Sequence, residues 1–224
     1  MKNNSDQANH LKPADLWCLA LGAILFELDD LVPENNYDIE NNEEIRSKHR
    51  HSLQTDWGID SRETLLKALD SLVADGHNRS FSEIRFFLST LSGTDQIAYL
   101  HSLPKNSKSY IQYQTVHVYN HKLPGAGIAA WDWGRYIYLC KKGAFLGYLT
   151  DDEARNLMYR VARMAQQAYS DWLEYGISYL VGRQFWLNQL SSDKVDELIG
   201  SVQSILLNEN SLWCRLDWNL KLES

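Results

Sequence analysis

Helix breakers are scarce in this chain: 4 prolines and 12 glycines in 224 residues. With long periodic apolar runs, that shortage favours helix over strand and turn. Cysteine is scarcer still. Cys18, Cys140 and Cys214 form an odd, scattered set, which is neither a disulfide framework nor a metal knuckle. Each sits among apolar neighbours and reads as a small core filler. A long hydrophobic run is also missing. The best, Leu16 to Phe26, gives way to Glu27, Asp29 and Asp30, and it falls short of the ~20 residues of a membrane span. It lacks the basic start and small-residue cleavage site of a signal peptide. The expectation is a cytoplasmic protein with a buried first helix and no membrane contact. Positive charge is short as well: 22 Lys and Arg against 29 Asp and Glu leave a net −7. That argues against nucleic acid as the main partner and allows a basic protein partner.

What is present in quantity is aromatic: 8 Trp and 12 Tyr. The chain is long enough to bury a real core. The expected architecture is all-α: a disordered stretch over residues 1–12, then one helical domain over 13–224 with about seven to nine helices. Pro13 suits a first helical turn, and Trp17, Ala20, Leu21, Ile24, Leu25 and Leu28 follow at helical spacing until Pro33. The acidic stretch Glu34 to Glu44 reads as a loop running into a short helix near Ile45 to Leu53. Asp60 with Glu63 predicts a capping box. The helix after it carries Leu65, Leu66, Leu69, Leu72 and Val73, with Gly76 as a left-handed stop. Helices from Ser82 to Leu91, and from Thr94 or Asp95 to Leu103, follow.

Residues 110–119 are β-prone, yet Tyr113, Val116, His117 and Asn120 share a helix face. A lone strand has no evident partner, so helix is the better reading. A helix is expected from Gly127 to Lys142, broken by Gly143 and Gly147. Thr150 with Glu153 predicts a second capping box, opening a helix that reaches Ser170. The stretch Asp171 to Leu190 extends that helix or forms its own. Asp193 to Leu207 is amphipathic, and Trp213 and Trp218 are apolar anchors beyond it.

The organising stretch is Ala130 to Leu187, from AWDWGR to YLVGRQFW, with four of the eight tryptophans. Trp172, Tyr175, Tyr179, Gly182 and Trp186 fall on one helical side. They form either a core stripe or a floor on which a planar ligand stacks. Asp132 and Arg135, three apart between Trp131 and Trp133, can pair. The pair either locks helices together or, with Arg183, holds an anion bidentately. Asp171 and Glu174 are further acids in that region. His77, after Gly76, is either a core-edge residue at a helix C-terminus or a general base. His117 and His121 have the spacing of a shared metal on a helix, but no Glu lies between them and no third ligand stands out. No metal and no cofactor are expected. Gly125, Gly127 and Ala130 match G-x-G-x-x-A, a decoy in a helical chain without a βαβ pattern. No nucleophile signature is present.

The runs WGIDSRETLLKALDSLVADGHNRSF, AWDWGR, GYLTDDEA and YSDWLEYGISYLVGRQFW resemble, in order, the bacterial domain-of-unknown-function family numbered 1266, over roughly Thr55 to Trp186. The resemblance implies a single α-helical domain and no particular reaction. The residues it picks out are Trp57, Gly76, His77, Trp131, Asp132, Arg135, Gly147, Trp172, Gly182, Arg183 and Trp186. Two functions follow as expectations. One is a non-enzymatic protein-binding module, of the immunity or antitoxin kind, for a basic partner met by Glu34 to Glu44. The other is an enzyme or small-molecule binder. Its candidate catalytic residues are His77 and Asp132, and its candidate ligand residues are Arg135, Arg183, Trp131, Tyr175 and Trp186. A toxin effector domain is a further option.

Overall fold

A computed structural model describes residues 11–28, 43–105, 107–187 and 192–223. Residues 1–10 of the disorder expected over 1–12, the Pro33 stop and most of Glu34 to Glu44 lie outside the described residues. Within them the chain is all-α, with no strand. Its helices are α1 (Pro13–Ala20), α2 (Ala23–Leu28), α3 (Glu43–Trp57), α4 (Arg62–Ala74), α5 (His77–Ser89) and α6 (Gly93–Ser102). These continue as α7 (Lys108–Tyr119), α8 (Ala129–Phe145), α9 (Asp151–Ala168), α10 (Trp172–Trp186), α11 (Ser192–Leu207) and α12 (Leu212–Arg215). Nine of the described helices, α3 to α11, have ten residues or more, and α1, α2 and α12 are shorter.

Helix α8 is the axis. It packs on α10, α9, α4, α2 and α5. Nearly all of its residues are buried, from Ala129 through Gly143. A helix buried on every side belongs in the middle of a bundle. The main core surrounds it, while a smaller one joins Phe81, Leu88, Val116, Leu123, Ile128, Val181 and Phe185 between α5, α7 and α10. The four tryptophans Trp17, Trp172, Trp213 and Trp218 form a hub, with ring centroids 5.0 Å for Trp17–Trp172 and 4.7 Å for Trp172–Trp218. Each indole N–H has a backbone acceptor: Asp217, Leu216, Ala20 and Tyr169 respectively. The hub ties α1 and the segment after α11 to α10.

Several boundaries differ from the sequence expectation, each for a local reason. The first helix is two, because the chain turns at Leu21 and Gly22. The cap of α4 is Ser61 with Thr64, not Asp60 with Glu63. The Thr64 hydroxyl reaches back and accepts from the Ser61 N–H at 3.1 Å, while Glu63 pairs with Lys67. Helix α7 spans the β-prone residues 110–119, as the helix reading expects. Gly143 does not break α8. The helix runs to Phe145, and Gly147, at φ +79°, completes the turn. The Thr150–Glu153 box is present. Asp171 caps α10, which makes it a helix separate from α9.

Candidate functional site

The seam where α8 meets α10 and the start of α5 gathers His77, Asp132 and Arg135. Asp132 and Arg135 are 2% and 7% exposed, so their pair is buried rather than half-buried. The carboxylate of Asp132 accepts from the Arg135 guanidinium, from the His77 backbone N–H at 3.1 Å and from the Asn78 backbone N–H at 2.8 Å. Those last two groups are among the orphan donors at the N-terminus of α5. Gly76, the residue before that helix, offers no side chain to them. Asp132 therefore caps α5 from another helix and sits at the positive end of its dipole.

Gly76 is required for this approach: an added Cβ would lie 2.5 Å from the Asp132 carboxyl carbon. Its φ of −55° is ordinary, which corrects the expected left-handed stop. His77 opens α5 rather than closing α4, so it lies at the opposite end of a dipole from the one expected.

Arg135 bonds the Trp131 carbonyl through Nε at 3.2 Å, and its guanidinium lies 4.6 Å over the Trp131 ring and 5.8 Å from the Trp57 ring. Burial lowers its pKa, opposed by the charge and hydrogen bond of Asp132. The Nδ1 of His77 is 2.9 Å from Arg135 Nη2 and 3.5 Å from Asp132 Oδ1. A guanidinium only donates, so a neutral His77 making the shorter contact accepts through Nδ1 and carries its ring proton on Nε2. In that form His77 offers a donor outward and has no free lone pair for base chemistry.

The aromatic stripe of α10 is mostly core. Tyr175 is fully buried and its hydroxyl donates to the Leu21 and Ala130 carbonyls, so this candidate ligand residue is a helix tie. Tyr169 and Ser178, not singled out by sequence, do similar work with the Gly127 carbonyl and the Ala130 N–H. Asp171 and Glu174 sit at the start of α10, with Glu174 accepting from the Ser170 N–H at 2.7 Å. They are capping acids.

The other end of the stripe differs. Trp131 packs edge-on against Tyr179 at 5.1 Å and lies tilted against Trp186 at 5.8 Å. Gly182 lets α10 come this close, since a Cβ there would lie 2.3 Å from the Trp131 Cβ. The indole Nε1 of Trp131, the hydroxyl of Tyr179 and the Nε of Arg183 are buried without a hydrogen-bond partner among the described residues. Burial drives the Tyr179 pKa upward, and the charges of Arg183 and Arg135 both pull it back, so both guanidinium groups act on that hydroxyl. Its place one turn before Arg183 was the available sequence signal.

On the Trp133 side of Asp132 lies a cleft of ≈ 300 Å³ lined by Leu72, Gly76, Arg79, Trp133 and Met164 among others. His117 bonds Gln96 through Nδ1 at 2.9 Å. No group of three His, Cys, Asp or Glu able to hold a metal occurs among the described residues, and no helix there is long and apolar enough to cross a membrane.

Comparison with known proteins assigns no activity. Two uncharacterised proteins of Escherichia coli (strain K12) are similar. YbeR is 28% identical over 134 residues, which is 60% of this chain and 56% of YbeR. YbeU is 27% identical over 143 residues, 63% of this chain and 59% of YbeU. The aligned stretch thus spans a little over half the length of either relative. No solved structure matches. The profile of the protein family of unknown function DUF1266 matches residues 52–218, and the chain belongs to that family.

Proposed function

We propose that this chain is a small-ligand-binding protein that takes the anionic group of a small molecule at the seam of α8 and α10. The observation that carries this is that three buried groups here, on Trp131, Tyr179 and Arg183, have no hydrogen-bond partner among the described residues. Two of these atoms only donate, and the tyrosine hydroxyl can. Leaving one such group unsatisfied costs about 1–3 kcal/mol. Three on neighbouring residues suit an acceptor-rich group from outside the chain. Arg183 supplies a guanidinium whose Nε has no hydrogen-bond partner among the described residues. Arg135 adds field, held in place by Asp132 and His77. Binding rather than turnover is the better reading, because the His77 Nδ1 lone pair is already engaged by Arg135.

Thermal unfolding in inorganic phosphate, against chloride of equal ionic strength, tests the proposal. A site filled to a hundred times its Kd adds about 2.7 kcal/mol, so Tm should rise in the parent and not in Arg183→Met. An equal response in both proteins removes the reading.

The protein-binding reading keeps the net charge of −7 as its support. Most of Glu34 to Glu44 lies outside the described residues, and Glu43 and Glu44 are paired with Arg50 and Lys48, so the geometry adds nothing to it. Cytoplasmic residence belongs to the proposal too, since three free cysteines suit a reducing compartment.

A further inference from the structure

Trp186 ends the α10 stripe, and it breaks that stripe's pattern. Trp172, Tyr175 and Tyr179 are 6%, 0% and 0% exposed, whereas Trp186 is 43% exposed. It is nonetheless held: its ring lies 5.8 Å from the Trp131 ring at an interplanar angle of 40°. Trp131 is in turn buried against Tyr179 and covered by the Arg135 guanidinium. An indole this exposed on an otherwise buried stripe forgoes much of its possible apolar burial. Its position gives that exposure a use. Trp186 is three residues beyond Arg183 on the same helix, so the two side chains are neighbours on its surface. Arg183 carries one of the unpartnered buried atoms. A flat apolar surface and an anion-seeking cation then stand one turn apart.

We infer that the ligand is an anion bearing a flat aromatic ring, with the ring stacked on Trp186 and the phosphate or carboxylate at Arg183, Tyr179 and Trp131. The inference rests on the anion site proposed above and adds the ligand's second half. Stacking supplies affinity with little demand on ring identity, because any such ring has a π-face. The charged end supplies orientation, through a guanidinium and two neutral donors.

Isothermal titration with matched probes tests it: AMP against ribose 5-phosphate, and indole-3-acetate against acetate, on the parent, Trp186→Ala, Trp186→Phe and Arg183→Met. In at least one pair, the ringed probe should bind the parent about tenfold tighter than its ringless partner. Trp186→Ala should abolish that advantage and Trp186→Phe should keep most of it. The responding pair shows whether phosphate or carboxylate is the charged end. If ringless probes bind in an Arg183-dependent way but neither ring adds affinity, or the advantage survives Trp186→Ala, the ring inference falls and the anion site stands. If no probe binds in an Arg183-dependent way, both fall. Circular dichroism and the urea midpoint of each variant establish that it is folded.

Discussion

Asp132 is the most heavily engaged side chain at the seam. It neutralises Arg135, caps α5 and depends on the missing side chain of Gly76. Removing one partner of a buried pair leaves an uncompensated charge, so Asp132→Ala should cost about 3–5 kcal/mol in urea unfolding. Arg135→Met in that background should recover part of the loss, and strict additivity of the two substitutions would contradict the pairing. Gly76→Ala should cost about 1–3 kcal/mol through overpacking against the carboxylate. A wild-type urea midpoint would show that the contact yields freely. Cysteine chemistry is predictable on the same scale. Burial pushes the Cys18 thiol up to about 12 and raises Cys140 further, whereas Cys214 is exposed. A thiol reagent should label one cysteine in the folded protein and three in denaturant. Prompt labelling of Cys18 would contradict its burial.

At the scale of elements, capping explains which boundaries were legible. The Thr150–Glu153 box and the helix after it follow from residue types alone, because both partners lie within one turn. Asp132 capping α5 across 54 positions has no local signal, and so His77 was placed at the wrong helix end. The pairing of Asp132 with Arg135 was legible from their spacing. The unpartnered hydroxyl of Tyr179 was not, because it depends on what fails to approach it.

Thr150→Ala should cost about 1 kcal/mol. Glu153 is also clamped by both terminal nitrogens of Arg62 at 2.9 and 2.7 Å, and that clamp together with the Thr150 backbone N–H lowers its pKa to about 2. A depressed carboxylate stabilises above its unfolded value and loses that contribution as pH falls through the folded one. The stability gap between the parent and Glu153→Gln should be constant above about pH 5, then shrink towards pH 2. A gap independent of pH would contradict the clamp.

For the whole molecule, α8 is the buried axis, and α10 meets different partners at its two ends. At one, Trp17, Trp172, Trp213 and Trp218 have every indole N–H satisfied. That is a structural end, and Trp218→Ala should cost about 3–5 kcal/mol, read from the urea midpoint. At the other, Trp131 with Tyr179 and Arg183 keeps polar groups buried without partners among the described residues. Helix α10 thus holds the fold together at one end and a proposed ligand at the other. The most direct measurement of that difference is the indole N–H region of a ¹⁵N–¹H spectrum during titration with inorganic phosphate, with Trp131 assigned through Trp131→Phe. The account predicts that the Trp131 resonance moves downfield to saturation while those of Trp17, Trp172, Trp213 and Trp218 stay in place. A Trp131 resonance that does not move, or that drifts together with the other four, would contradict it.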